Sequence, residues 1–142
     1  MLRKQTSAND PADWFAFAQE RIQGADALRH HEGVTATGIE TLQEGVERYL
    51  KGYLIAKGWR LIKTHDLVLL VQEAKRLDAA FDVFIPVAEE LTEDFFAQHY
   101  PGEDTTLTGE NYENLRGQAG ELIGLIQKSL PQFFPKPNSR GK

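Results

Sequence analysis

Apolar positions recur along the chain at the 3.6-residue spacing of helices, and nowhere do they alternate with period two for long enough to predict a strand. Phe15, Ala18, Ile22, Ala25 and Leu28 draw the first stripe. That helix is predicted to begin at Asp10, whose carboxylate can cap free N–H groups, with Pro11 in the first helical position and Asp13 in the first turn. His30 and His31 suit its C-terminal dipole, and Gly33 ends it. A second stripe runs through Ile39, Leu42, Val46, Tyr49, Leu50, Tyr53 and Leu54. Thr37-Gly38-Ile39-Glu40 reads as a capping box before it, and Gly58 stops it. Gln43, Glu47 and Lys51 form a polar line on this helix; a Glu–Lys pair at i, i+4 spacing is expected to be an exposed contact worth ~0.3 kcal/mol.

Thr64 or His65 is expected to cap a third helix, with Asp66 in its first turn and Leu67, Leu70, Val71, Ala74 and Leu77 on its buried face. A fourth segment, 79–98, carries Phe81, Phe84, Ile85, Ala88, Leu91, Phe95 and Phe96. Pro86 removes a hydrogen bond within it, so the segment either kinks there or restarts as a helix with Pro86 near its first position. Tyr100-Pro101-Gly102 opens a polar loop, and Tyr112, Leu115, Ala119, Leu122, Ile123, Ile126 and Leu130 mark a fifth helix ended by Pro131. The pattern predicts an all-α fold, an antiparallel up-and-down bundle of four main helices plus a short one. The bundle is expected over 11–131, between a frayed N-terminus at 1–10 and a flexible tail at 132–142.

Composition narrows the chemistry. A chain of 142 residues is one domain's length, and it has no cysteine, which excludes disulfides, thiolate metal sites and a cysteine nucleophile. A metal would need His and carboxylates, and adjacent residues on a helix, such as His30 and His31, point about 100° apart, so none is expected. Gly-rich phosphate loops, Ser-His-Asp order and zinc spacings are missing, and no cofactor is expected. The net charge of −5 is spread over interleaved acids and bases, so any RNA site must be local rather than a broad basic face. The apolar run Leu67–Val71 falls far short of the ~20 residues that span a bilayer, and Met1–Asp10 is polar, which points to a cytoplasmic protein without membrane contact. Trp14, Phe17 and Trp59 lie outside the tidiest stripes and are candidates for a dimer interface or a base-stacking surface.

Three patches resemble a known family: LQEGVERYLKGYLIAKGW at 42–59, RLIKTHDLVLLV at 60–71 and FFAQHYPGED at 95–104. Their order and spacing, within a stretch from Ala12 to Leu130, resemble the HEPN domain (higher eukaryotes and prokaryotes nucleotide-binding), in its prokaryotic small-protein branch. The resemblance implies a helical bundle that forms a homodimer. It also implies a frequent pairing with a minimal nucleotidyltransferase, as toxin and antitoxin or as a related two-component system.

Many members of that family are metal-independent ribonucleases whose signature is Arg, four to six residues, then His, and Arg60 and His65 match it with four residues between. A metal-free cut of RNA needs a base for the 2′-OH, an acid for the leaving oxygen and a cation for the phosphorane charge. Histidine exchanges protons near neutral pH and arginine holds phosphate bidentately. The start of the third helix would add N–H groups for an anion. The resemblance thus implies Arg60 and His65 as catalytic residues of a composite cleft at the dimer dyad. Lys63, Thr64 and Asp66 lie beside them, and Glu47 and Lys51 could orient His65 or a nucleotide.

On residue types alone, Thr64, His65 and Asp66 suit helix capping equally well, and Arg60 and Lys63 suit a solvated loop. The chain departs from the family's ribonuclease branches in two places. Leu61 is apolar where a polar residue usually follows the arginine, and His99 stands where arginine often precedes the Tyr-Pro turn. Two further functions fit the same residues: a non-catalytic module that binds a nucleotide or docks the nucleotidyltransferase, and a dimeric scaffold.

Overall fold

The computed structural model describes residues 6–99 and 109–135, without the side chains of 93–99. Among the described residues it is all-helical: α1 (Pro11–Glu32), α2 (Ala36–Ala56), α3 (Leu67–Leu77), a 3₁₀ segment (Ala79–Phe84), α4 (Ile85–His99) and α5 (Gly109–Ser129). No described helix is long and apolar enough to cross a membrane. Residues 100–108, where the sequence predicts a loop, and the side chains of Phe95, Phe96 and His99 lie outside the described residues.

Helix α2 is the central element and touches each of the other four helices. Its predicted stripe is buried throughout, and so is α5's from Tyr112 to Leu130. The closest pairing is α1 on α2, and two glycines on one face of α2 permit it. A Cβ at Gly45 would stand 2.5 Å from Ile22 Cδ1, and one at Gly52 would stand 2.6 Å from Phe15 Cε1. Only glycine lets the helices approach this closely.

Helix α1 starts and stops where its signals place it. Asp10 accepts from the Ala12 N–H at 3.0 Å, and Gly33 takes a φ of 81° at the far end. Helix α2 begins earlier than its sequence suggests. Thr35, not Thr37, is the cap: it has an extended backbone, and its hydroxyl accepts from the Gly38 N–H at 2.9 Å. Thr37 is already helical, and its carbonyl accepts from the Thr41 hydroxyl.

The cap of α3 also differs from expectation. Asp66, rather than Thr64 or His65, caps it by accepting from the Leu69 N–H at 3.2 Å, while Thr64 Oγ1 accepts from the Asp66 N–H. Leu77, expected on the buried face, is 53% exposed because the helix ends there and Asp78 opens the 3₁₀ segment. Pro86 occupies the second position of α4, the restart rather than the kink, where its missing N–H costs nothing.

Both ends of the domain fold back onto it. Ser7 N–H donates to Asp13 at 2.9 Å and the Trp14 indole N–H donates to the Ala8 carbonyl at 2.7 Å. Phe133 and Phe134, assigned to the tail by sequence, put their rings 5.6 and 4.7 Å from that of Phe15, which also meets Tyr49. Elsewhere α5 is tied to α1 by charge. Arg116 binds Asp26 through two bonds of 2.7 and 3.0 Å, and Arg29 binds Glu113 at 2.8 Å. The Asp26 bond raises the Arg116 pKa above its ordinary value. Beneath these ties runs a groove of about 330 Å³ floored by Tyr49.

Candidate functional site

Residues 57–66 carry the Arg–His signature, and both ends of that link are pinned. At the end of α2, Gly58 adopts a φ of 91° and the Trp59 N–H reaches back to the Leu54 carbonyl at 2.8 Å, closing the last turn. At the start of α3, Thr64 and Asp66 fix the backbone on either side of His65. Arg60 and Lys63 are exposed, and neither takes part in an ion pair among the described residues.

His65 is held although its side chain is 83% exposed. Its Nδ1 lies 3.0 Å from Oε1 and 3.2 Å from Oε2 of Glu47, in the middle of α2. Glu47 Oε2 in turn accepts from Lys51 Nζ at 2.7 Å. That ammonium stands 5.6 Å from the centroid of the Trp14 ring, which α1 brings over it. One line of side chains therefore runs Trp14, Lys51, Glu47, His65, from α1 through α2 to the link.

The Glu47–Lys51 pair is not the exposed surface contact that its spacing suggests. The two side chains are 8% and 7% exposed. Their cover comes from outside the helix: the Trp14 ring of α1 lies over Lys51 and the His65 imidazole of the link meets Glu47. Gln43, one turn earlier, is buried as well.

The geometry constrains the imidazole. An ionised carboxylate can only accept hydrogen bonds, so a contact with ionised Glu47 requires the proton on Nδ1 and leaves the lone pair of a neutral ring on Nε2. An exposed Nε2 can take a proton from a bound group and, once charged, return one. The expected anion site at the start of α3 is altered by its cap: Asp66 occupies the Leu69 N–H and places a carboxylate at the helix end.

The structure thus brings Glu47, Lys51, Thr64, His65 and Asp66 to one place, with Arg60 and Lys63 on the same link and His99 outside the described side chains. Among the described residues no cluster of three or more His, Asp or Glu gathers in a way that could hold a metal. The surplus aromatics separate. Trp59 packs half-buried against the core, whereas Trp14 and Phe17 line an open pocket of about 210 Å³ with residues 6–8 and Asp13.

A family model described as the HEPN domain matches residues 12–129. No curated protein and no solved structure matches the chain.

Proposed function

The chain belongs to the HEPN domain family, which implies work on or near RNA or nucleotides, and from that premise we propose that it is a homodimeric, metal-independent endoribonuclease. The observation that carries the proposal is the presentation of His65. Its Nδ1 is held by a buried carboxylate, and its Nε2 is left to the solvent side of an exposed corner. A histidine meant only to cap a helix needs no such support, and here Asp66 already does the capping.

In the proposed reaction, two copies of His65 meet at the dimer dyad. One Nε2 takes the proton of a ribose 2′-OH as the 2′-oxygen attacks the adjacent phosphorus. The other, protonated, gives its proton to the 5′-oxygen as the phosphorus–oxygen bond breaks. Arg60 from each subunit offsets the extra negative charge of the phosphorane, and Lys63 and Thr64 contact neighbouring phosphate oxygens. The products are a cyclic phosphate and a free 5′-hydroxyl, so atoms and charge balance without a metal.

A second reading draws on the openness of the site. The His65 side chain is 83% exposed and Arg60 is exposed as well, so among the described residues both stand on an open surface. Such a surface also suits a non-catalytic module that docks a minimal nucleotidyltransferase in a toxin–antitoxin pair. Cleavage of labelled single-stranded RNA in EDTA separates the two. Cutting by the wild type that is lost in both His65→Ala and Arg60→Ala is the expected result; a folded dimer that leaves RNA intact favours the docking module.

A further inference from the structure

We infer that Glu47 is a positioning residue for His65, and that Lys51 exists to keep that carboxylate in place inside the helix packing. The inference rests on the reading of His65 as the proton-transfer group and concerns how the chain prepares it. Three observations point the same way. First, Glu47 and Lys51 are more than nine-tenths buried on the central helix, beside its apolar stripe. Removing two charges from water cancels most of what their attraction returns, so a buried pair adds little over apolar residues of the same size.

Second, the pair is fully used. Glu47 Oε2 takes the Lys51 ammonium and Oε1 takes the imidazole, while the other side of Lys51 meets the Trp14 ring. Third, the imidazole is where this buried line reaches solvent, at 83% exposure. An exposed histidine ordinarily samples several rotamers and both tautomers. Bonding to Glu47 selects the tautomer with hydrogen on Nδ1 and fixes the direction of Nε2, as carboxylates behind metal-bound and triad histidines do. Lys51 blocks the alternative in which Glu47 is an uncompensated buried charge. The backbone approach at Gly52, which seats α1, is what brings Trp14 over the ammonium.

The test is the tautomer of His65 in the full-length protein, read from imidazole ¹⁵N shifts at a pH where the ring is neutral, with His65→Ala used to assign the signal. The comparison variant is the double substitution Glu47→Leu with Lys51→Met, which removes both charges together and so does not strand one in the core. Wild-type His65 is expected to be predominantly the Nδ1–H form, and the double variant to shift toward the Nε2–H form that free histidine prefers. RNA cleavage by the folded double variant is expected to fall about 10–100-fold in kcat, the usual effect of losing such a supporting carboxylate, with KM changed by no more than about twofold. An Nε2–H majority in the wild type, or the same tautomer in both proteins, overturns the inference. A wild type that leaves RNA uncut sinks the ribonuclease reading alone, because the tautomer measurement decides the role of Glu47 without any substrate.

Discussion

Lys51 Nζ sits 2.7 Å from Oε2 of Glu47, and neither side chain is more than 8% exposed. Taking away Glu47 leaves the Lys51 ammonium in the packing with only the Trp14 ring beside it, and taking away Lys51 leaves the Glu47 carboxylate with only the His65 imidazole. Lys51→Ala or Glu47→Ala is therefore expected to lose about 3–5 kcal/mol in urea unfolding, whereas the double apolar replacement stays level with the wild type or gains stability. Equal losses in the single and double variants would mean that the pair is solvated in solution.

The α1–α2 seam is predicted to be intolerant of a single methyl group, more so at one glycine than at the other. Gly52→Ala pushes a Cβ to within 2.6 Å of the rigid Phe15 ring, while Gly45→Ala meets the movable end of Ile22. Overpacking costs about 1–3 kcal/mol, set against the roughly 1 kcal/mol that alanine gains over glycine in a helix. Thermal melts should place Gly52→Ala below the wild type and Gly45→Ala nearer to it.

Burial raises the pKa of Tyr49, Tyr53 and Tyr112 above the ordinary tyrosine value of 10.0; Asp78 adds to the effect at Tyr53 and Asp26 at Tyr112. A raised folded-state pKa means that the folded chain holds these protons after the unfolded chain has lost them. Stability is full below about pH 10 and falls as pH rises through and beyond it. Among the described residues, the buried Tyr112 hydroxyl has no hydrogen-bond partner. Tyr112→Phe is accordingly expected to be neutral or stabilising at pH 7 and to flatten the alkaline decline, measured by denaturation at pH 7 and pH 10.5.

Thr35 before α2 and Thr37 in its first turn give a local test of where the helix begins. Thr35→Ala removes the bond to the Gly38 N–H and is expected to cost about 1 kcal/mol, while Thr37→Ala, inside the first turn, stays within about 0.5 kcal/mol of the wild type. The reverse order in chemical denaturation would restore Thr37 as the cap.

Much of this fold can be read from spacing alone. The stripes of α1, α2 and α5 are long, and over several turns a 3.6-residue period is hard to mistake. What spacing does not carry is which of two adjacent polar residues takes the cap. Thr35 and Thr37, or Thr64, His65 and Asp66, are equivalent candidates by residue type, and only the folded backbone separates them: Thr35 is extended whereas Thr37 is already helical. It also does not say whether an i, i+4 pair faces water, since Glu47 and Lys51 have the spacing of a surface contact and acquire their burial from α1 and from the link before α3. The candidate site was legible as residue types, Arg60 and His65, but the bond between His65 and Glu47 joins residues eighteen positions apart and belongs to the tertiary fold. Phe133 and Phe134 were hidden for a simpler reason: two aromatics after a helix-ending proline form no periodic stripe.

Those two phenylalanines also set an order of events during synthesis. Their partner Phe15 is synthesised long before them, so the aromatic cluster cannot close until Phe133 and Phe134 have left the ribosome. Trp14, Lys51, Glu47 and His65 all leave the ribosome well before Phe133. The line of residues that holds the imidazole can thus form on the nascent α1–α2 pair, while a ribosome stalled before Phe133 would leave open the face of Phe15 that those two rings cover, a ready handle for chaperones.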